Sequence, residues 1–232
     1  MKRLVPRRAA ISFGAGCGLR DMSKVRVHIS ISADGYVAGP NQSLENPLGE
    51  GGEGLHEWVV ALRVWRQPHG LEGGEVNAST QVVEESLANV GAEIMGRGKF
   101  GGGPGPWHDE WQGWWGDEPP FHMPVFVVTH HQREPLTLAD TTFRFETDGI
   151  EGTLGRAQEA AAGKDVTIGG GASVINQYLA AGLIDELELH VVPLVLGGGA
   201  RLFDGVGPDL RLEQVRAVEA PGVTHLKYRV VR

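Results

Sequence analysis

The stretch Val166–Leu179, VTIGGGASVINQYL, constrains this chain more than any other. An apolar strand pattern runs into Gly169, Gly170 and Gly171, then straight into a helical pattern with Ser173 on its first turn. Glycines let a ligand approach the backbone closely. The first N–H groups of a helix have no intrahelical partner and carry the positive end of its dipole, so they attract an anion. A phosphate or pyrophosphate of a nucleotide cofactor fits this joint. A tight strand–helix turn without a ligand fits it as well, and the motif alone leaves both readings open.

Two common nucleotide schemes are excluded. A dinucleotide fingerprint of the G-x-G-x-x-G type needs a third glycine where this chain has Val174. A P-loop needs Gly-Lys followed by Ser or Thr. Here Gly98-Lys99 is followed by Phe100, and Gly163-Lys164 by Asp165.

Composition narrows the class. The 232 residues are 41% hydrophobic and 22% charged, which is a globular profile with room for one large or two small domains. The net charge of -8 argues against nucleic acid as a partner. No apolar run is long enough for a membrane span. Cys17 is the only cysteine, so neither an intrachain disulfide nor a cysteine-based zinc site is available. A reducing cytoplasm is the expected location, and no metal site is expected.

The first 21 residues carry Lys2, Arg3, Arg7, Arg8 and Arg20 against Asp21 alone. The segment Ala9–Leu19 is interrupted by Gly14, Gly16 and Gly18, so it makes a poor secretory core. A disordered extension is expected over residues 1–22. The folded part, expected to be one domain over 23–232, begins naturally after Met22.

Along the chain, VRVHISIS (Val25–Ser32) alternates as a strand and is broken by Asp34-Gly35. Leu55–Trp65 has roughly helical spacing. Asn77–Asn89 reads as a helix with Ser79 or Thr80 as its N-cap. Strands are expected at Ala92–Met95, Val125–Thr129, Thr142–Glu146, Val166–Ile168, Leu187–Pro193, Leu210–Val218 and Thr224–Val231. Helices are expected at Ile150–Ala162 and Ala172–Ala181. Trp107, Trp111, Trp114 and Trp115 recur at helical spacing, which suggests a short amphipathic helix inside a Gly/Pro-rich loop. Gly197–Gly199 marks a bulge or sharp turn. Strands alternating with helices give an α/β layer fold with a largely parallel sheet. Three final strands without helices between them add an antiparallel end, hence a mixed sheet.

Four segments together resemble the dihydrofolate reductase-like superfamily, and within it the reductase domain of the bifunctional riboflavin biosynthesis protein. They are ADGYVAG (Ala33–Gly39), IMGRGKF (Ile94–Phe100), IGGGASVINQYL, and GLIDELELHVVPLVLGGGARLF (Gly182–Phe203). The resemblance runs from about Val25 to Arg232. It implies a three-layer fold, with helices on both faces of a mixed, mostly parallel sheet. It also implies NADPH bound across the ends of that sheet. On that basis Gly96, Arg97 and Lys99 lie near the cofactor's phosphates. Gly169, Gly170, Gly171, Ala172 and Ser173 hold the pyrophosphate, with Val174 packed beside it. Thr129, His130 and His131 stand where the family contacts the 2′-phosphate, and Val37 and Ala38 meet the nicotinamide.

A reductase of this kind takes its hydride from the cofactor, and a proton donor is a further requirement. Candidate acids are Asp34, Glu57 and Glu186. Asp34 matches the aspartate of the family's first motif, although Asp-Gly is also an ordinary turn pair. Glu186 matches the glutamate of the VDEL motif, with a role in substrate orientation or in tying the sheet together. The expected activity is reduction of a small heteroaromatic or ribosylamino compound. Dihydrofolate reduction is one alternative, and a non-catalytic nucleotide-binding dimeric scaffold is another. The resemblance implies a homodimer, with the apolar strands after Leu187 as its candidate interface.

Overall fold

The computed structural model describes residues 23–108 and 110–231. The extension expected over residues 1–22, with Cys17, lies outside the described residues. Eleven strands are present: β1 (Val25–Ser32), β2 (Tyr36–Ala38), β3 (Val90–Gly96), β4 (Pro124–Val128), β5 (Leu136–Leu138), β6 (Thr141–Glu146), β7 (Asp165–Gly170), β8 (Glu186–Val192), β9 (Ala200–Arg201), β10 (Arg211–Ala220) and β11 (Val223–Val231). The α-helices are α1 (Glu57–Val60), α2 (Arg63–Arg66), α3 (Ala78–Leu87), α4 (Arg97–Phe100), α5 (Ile150–Ala161) and α6 (Ala172–Ala180).

Nine strands form one sheet in the order β10-β11-β8-β1-β7-β3-β4-β6-β5. From β8 across to β6 every neighbouring pair is parallel. The β10–β11 hairpin closes one end antiparallel, against β8. At the other end β5 runs antiparallel to β6. The mixed sheet with an antiparallel C-terminal end is therefore the architecture of this chain. β5 was not expected, because three residues after Pro135 leave too short an alternation to read.

Alternation along the strands divides the core. Ile94 and Phe126 face α5 and α6, where Leu154, Ala157, Ile175, Tyr178 and Leu179 complete the largest cluster. Met95, Val125 and Val127 point the other way, onto Phe100, Phe143 and the tryptophan-rich loop. Farther along that second face, Leu55, Trp58 and Leu62 pack against Val192 and Val223. Each such side chain removed from water contributes about 1.5–3 kcal/mol before the entropy of ordering is subtracted.

Near α3 that second face is polar. His28, Ser30, Glu188, His190 and His225 are adjacent across β1, β8 and β11. His190 and His225 meet through their Nδ1 atoms at 2.8 Å, and His225 Nε2 lies 2.9 Å from Ser79 Oγ. Glu188 pairs with Arg216 at 3.0 Å and with His28 at 3.4 Å. Trp58 closes the layer and donates its indole N–H to Ser30 Oγ at 3.1 Å.

Three local expectations are corrected. The helix expected over Leu55–Trp65 is a 3-10 turn (Gly52–Leu55) followed by α1 and α2, because Leu62 is extended (φ -77, ψ 142). Its neighbour Ala61 accepts from the Glu75 N–H at 2.8 Å, and Arg63 N–H donates to the Glu75 carbonyl at 2.9 Å. The N-cap of α3 is Asn77 rather than Ser79 or Thr80. Its side chain accepts from Ser79 N–H, and Thr80 answers in a capping box. Among the described residues, Trp107–Trp115 form no helix. Gly101 and Gly102 take φ +88, and a Cβ on Gly101 would stand 2.6 Å from the rings of Trp111 and Trp114. The loop is thus held by ring packing and two indole bonds, Trp107 to the His131 carbonyl at 2.7 Å and Trp111 to the Phe100 carbonyl at 3.1 Å.

Candidate functional site

Parallel strands deliver their C-terminal ends to one side of the molecule, where an open α/β sheet characteristically forms its crevice. Here a cleft of about 710 Å³ runs along that side. It lies in the size range of small-molecule and cofactor sites. Following the sheet order, it passes from the β1 side, past Gly169–Gly171 after β7 and Gly96 at the end of β3, to Thr129–His131 after β4.

Every residue expected to meet the cofactor lines this cleft: Val37, Ala38, Gly96, Arg97, Lys99, Thr129, His130, His131, Gly169, Gly170, Gly171, Ala172, Ser173 and Val174. β7 delivers the glycines, and α6 starts at once with Gly171 as an N-cap that makes no side-chain bond. Gly171 faces open space. Gly169 has none, because a Cβ there would collide with the Glu93 carboxylate and the Lys99 ammonium. Gly96 is equally constrained, since its Cβ would stand 2.8 Å from Val174 Cγ2. Glycine at 96 lets Val174 of α6 close onto β3, and glycine at 169 leaves room for the Glu93–Lys99 pair.

Arg97 opens α4 and turns toward the tryptophan-rich loop. Its guanidinium donates to the Gly105 carbonyl at 2.5 Å and lies 3.8 Å from the centre of the Trp107 ring. Arg133 sits 5.3 Å from the centre of the same ring. Burial, and then the neighbouring Arg133 charge, hold the Arg97 guanidinium below the usual arginine range. Among the described residues no carboxylate pairs with Arg97, and its Nε is buried without a hydrogen-bond partner. The result is a cationic corner beside His131, where among the described residues the Arg97 charge has no carboxylate partner to compete with an anion. Lys99 differs, because its ammonium pairs with Glu93 at 2.8 Å.

The candidate acids are not brought to the cleft. Asp34 accepts from Ser32 Oγ at 2.6 Å and from the backbone N–H groups of Leu196 and Gly197 at 3.1 and 2.7 Å. The Ser32 bond leads in holding its carboxyl below the ordinary range. Glu186 stands at the start of β8, at the opposite end of the strands from the cleft. There it bridges Lys24 and Lys227, each at 2.9 Å. Glu57 is exposed on α1. Its neighbour His56 does line the cleft, together with Gln42, Pro47 and Leu48. These residues escaped the sequence reading; the only available signal was a lone histidine just ahead of a helical turn. Gly197–Gly199 leads into β9, which pairs with β2 and seats Ala200 beside Ala38 in the cleft wall.

This sheet, with its ligand-sized crevice at the strand ends, defines the class of dihydrofolate reductase-like folds. Comparison with known proteins agrees. The RibD C-terminal domain family matches residues 23–226, and the chain belongs to that family. A protein from Shewanella sp. PV-4 named for riboflavin biosynthesis superposes with a TM-score of 0.59 at 20% identity, covering 90% of this chain and 99% of that one. Acinetobacter baumannii RibD gives 0.55 at 18% identity, covering 92% of this chain and 59% of RibD. Enterococcus faecalis dihydrofolate reductase, solved with NADP(H), gives 0.50 at 12% identity, covering 89% and 96%. Among curated proteins, YyaP of Bacillus subtilis is 39% identical over 67 residues, which are 28% of this chain and 36% of that uncharacterized relative.

Proposed function

We propose that this chain is an NADPH-dependent reductase of a small heteroaromatic or ribosylamino compound, similar in reaction to 5-amino-6-(5-phosphoribosylamino)uracil reductase. The observation that carries the reading is the convergence of all the cofactor-matched residues on one cleft of about 710 Å³. The residues present suit the cofactor. The uncapped start of α6 offers N–H groups to a pyrophosphate. The Arg97 corner, with an orphaned buried Nε, offers charge to a 2′-phosphate. Val37, Ala38 and Ala200 form a small apolar wall suited to a nicotinamide face.

When bound, NADPH supplies the hydride. The protein's own part is positional. Gly170 and Gly171 let the backbone approach the phosphates, Gly169 makes room for the Glu93–Lys99 pair that fixes the floor, and Leu48, Val37 and Ile29 keep water from the reacting face. In this reading Asp34 and Glu186 are positioning residues rather than proton donors, since each carboxylate is held by structural partners. Assembly as a homodimer in the cytoplasm belongs to the same reading.

The test is loss of NADPH absorbance with a panel containing 5-amino-6-(5-phosphoribosylamino)uracil, dihydrofolate and unphosphorylated pyrimidines and pterins. The reading requires turnover of at least one compound. A protein that binds NADPH and turns over none would be the scaffold instead.

A further inference from the structure

The buried polar layer on the second face of the sheet has no part in the cleft chemistry, yet it lies beneath the segment that supports one cleft wall. His190 and His225 face each other through Nδ1 atoms 2.8 Å apart, and His225 Nε2 is 2.9 Å from Ser79 Oγ of α3. The Trp58 ring closes over both, with its centre 4.9 Å from that of His190 and 5.0 Å from that of His225. Two such nitrogens share one proton, so with both rings neutral one Nδ1 donates and the other accepts. A first added proton puts a charge into a buried site. A second sets N–H against N–H.

The groups around the pair oppose that charge. On β1, Arg26 lies 3.4 Å from His28 Nε2. On β10, Arg216 pairs with Glu188 and with Glu85 of α3. On β11, Lys227 is bound to Glu186 of β8. His56 and Lys99 stand on the cleft side. Glu188, the carboxylate inside the layer, is already held by Arg216 and His28. Burial, then the charges of His225 and His28, accordingly pushes His190 down to about 3, and burial also lowers His225.

The two covers over the pair are unequally tied. Arg26 donates to the Glu85, Ser86 and Ala88 carbonyls at the end of α3, and Arg216 pairs with Glu85 at 2.6 Å. α1 has four residues and is held to the sheet by the Trp58–Ser30 bond at 3.1 Å and by the packing of Leu55, Trp58 and Leu62. A short segment held by so few contacts opens more easily than the whole fold. It also supports the cleft wall. His56, which precedes α1, lines the cleft. In the 3-10 turn, a Cβ on Gly52 would stand 3.0 Å from Leu48 Cβ and 3.2 Å from Gly39 N. The Gly39 N–H donates to the Leu48 carbonyl at 2.8 Å, and Leu48 and Ala38 both line the cleft.

We propose that Gly52–Leu62 is a flap docked on the neutral His190–His225 pair, that it is released as the pair takes up protons, and that its release opens the cleft wall at Leu48 and His56. A ligand that needs this wall then binds more weakly in acid and, reciprocally, holds the flap shut. The flap works in the same way whichever ligand the cleft takes. Released rings titrate near pH 6.5 while docked rings stay neutral, so the released state binds more protons and gains as pH falls below about 6.5. From pH 7 to pH 5 the opening constant rises roughly 25-fold for each ring that charges on release.

The test is amide hydrogen exchange of the full chain without ligand at pH 7, 6 and 5, each rate divided by the intrinsic rate at that pH. Val60, Ala61 and Leu62 donate within the flap, Gly52 and Gly39 report the wall, and the strand amides of β3 and β8 report the core. Flap and wall amides should open together, more often than the core, with an opening constant that rises at least about 25-fold from pH 7 to pH 5. His190→Asn, which puts an uncharged amide near the Nδ1 position, should remove about 25-fold of that rise. Nitrogen NMR of the wild type at pH 7 should show both rings neutral, one protonated on Nδ1 and the other not, whether or not the variant folds. A pH-independent opening, flap amides that exchange only with the core, a Gly39 amide that stays closed while α1 opens, an undiminished rise in His190→Asn, or a charged ring at pH 7 would each overturn it.

Discussion

The carboxylate of Asp34 receives the backbone N–H of Gly197 at 2.7 Å, tying the end of β1 to the loop that leads into β9. An aspartate in a family motif thus acts as a clamp on the cleft wall. Asp34→Asn should lower the thermal midpoint and shift the apparent affinity for cofactor, while turnover at saturation stays within a few-fold. Loss of a true general acid lowers turnover by about 10²–10⁴-fold, and a loss of that size would restore Asp34 to the chemistry.

Arg97 should discriminate between cofactors. Its guanidinium, packed on Trp107 without a carboxylate partner among the described residues, suits a 2′-phosphate. Removing one charge-assisted hydrogen bond costs about 1.5–3 kcal/mol. Arg97→Ala should therefore weaken NADPH by roughly 10–100-fold and leave NADH nearly unchanged. Equal weakening of both would make Arg97 a support for the tryptophan loop only.

The two outer glycines of the triplet should separate packing from binding. Gly169→Ala drives a Cβ into the ends of the Glu93 and Lys99 side chains, which must swing aside and loosen their ion pair, at a cost of up to about 1 kcal/mol. A lower denaturation midpoint is expected. Gly171→Ala meets nothing within 4 Å. Its stability should match the wild type, while NADPH affinity falls because the new methyl group occupies ligand space. Unchanged affinity in stable Gly171→Ala would remove the pyrophosphate from this turn.

Acid should unfold the protein through the buried histidine layer. Desolvation, reinforced by the charges of His225 and His28, pushes His190 down to about 3, and burial also lowers His28 and His225. The unfolded chain binds these protons more readily, so stability is full above about pH 6.5 and falls as pH drops toward 3, by up to about 1.4 kcal/mol per pH unit for each such histidine. Burial alone would raise Glu188, but bonds from His28 and Arg216 outweigh it and hold it at about 2. This carboxylate adds a further loss below about pH 4.5. Urea midpoints at pH 7 and pH 5 give the check: a lower midpoint at pH 5 is expected, less so in His190→Phe. A flat profile would mean that these rings are charged or hydrated in the fold.

Much of the site was legible because it is local in sequence. The Gly169–Ser173 joint, Gly96-Arg97 after β3 and Val37-Ala38 after β1 each carry strand, turn and cleft-lining residue in one short segment. What the sequence left unread is non-local. Glu186 matched a motif, but it begins β8, and a residue at the start of a parallel strand lies at the far end from the strand termini that form the cleft. Asp34 finds its partners at Leu196 and Gly197, far away in sequence. His56 reaches the cleft because Gly52–Leu55 turns as a 3-10 segment and Leu62, joined to the Glu75 region, breaks the helix that its apolar spacing suggests. The tryptophans repeat at helical spacing, yet glycines at positive φ leave them to pack as a cluster on Phe143 and Phe145.

The most direct measurement is equilibrium titration of the full chain with NADPH and with NADH, following tryptophan fluorescence, since Trp107 packs on Arg97, which lines the cleft. Micromolar NADPH binding with a clear preference over NADH, abolished as a preference in Arg97→Ala, is the expected result. Absence of binding to either nucleotide would contradict the assignment of the cleft and leave the fold alone standing.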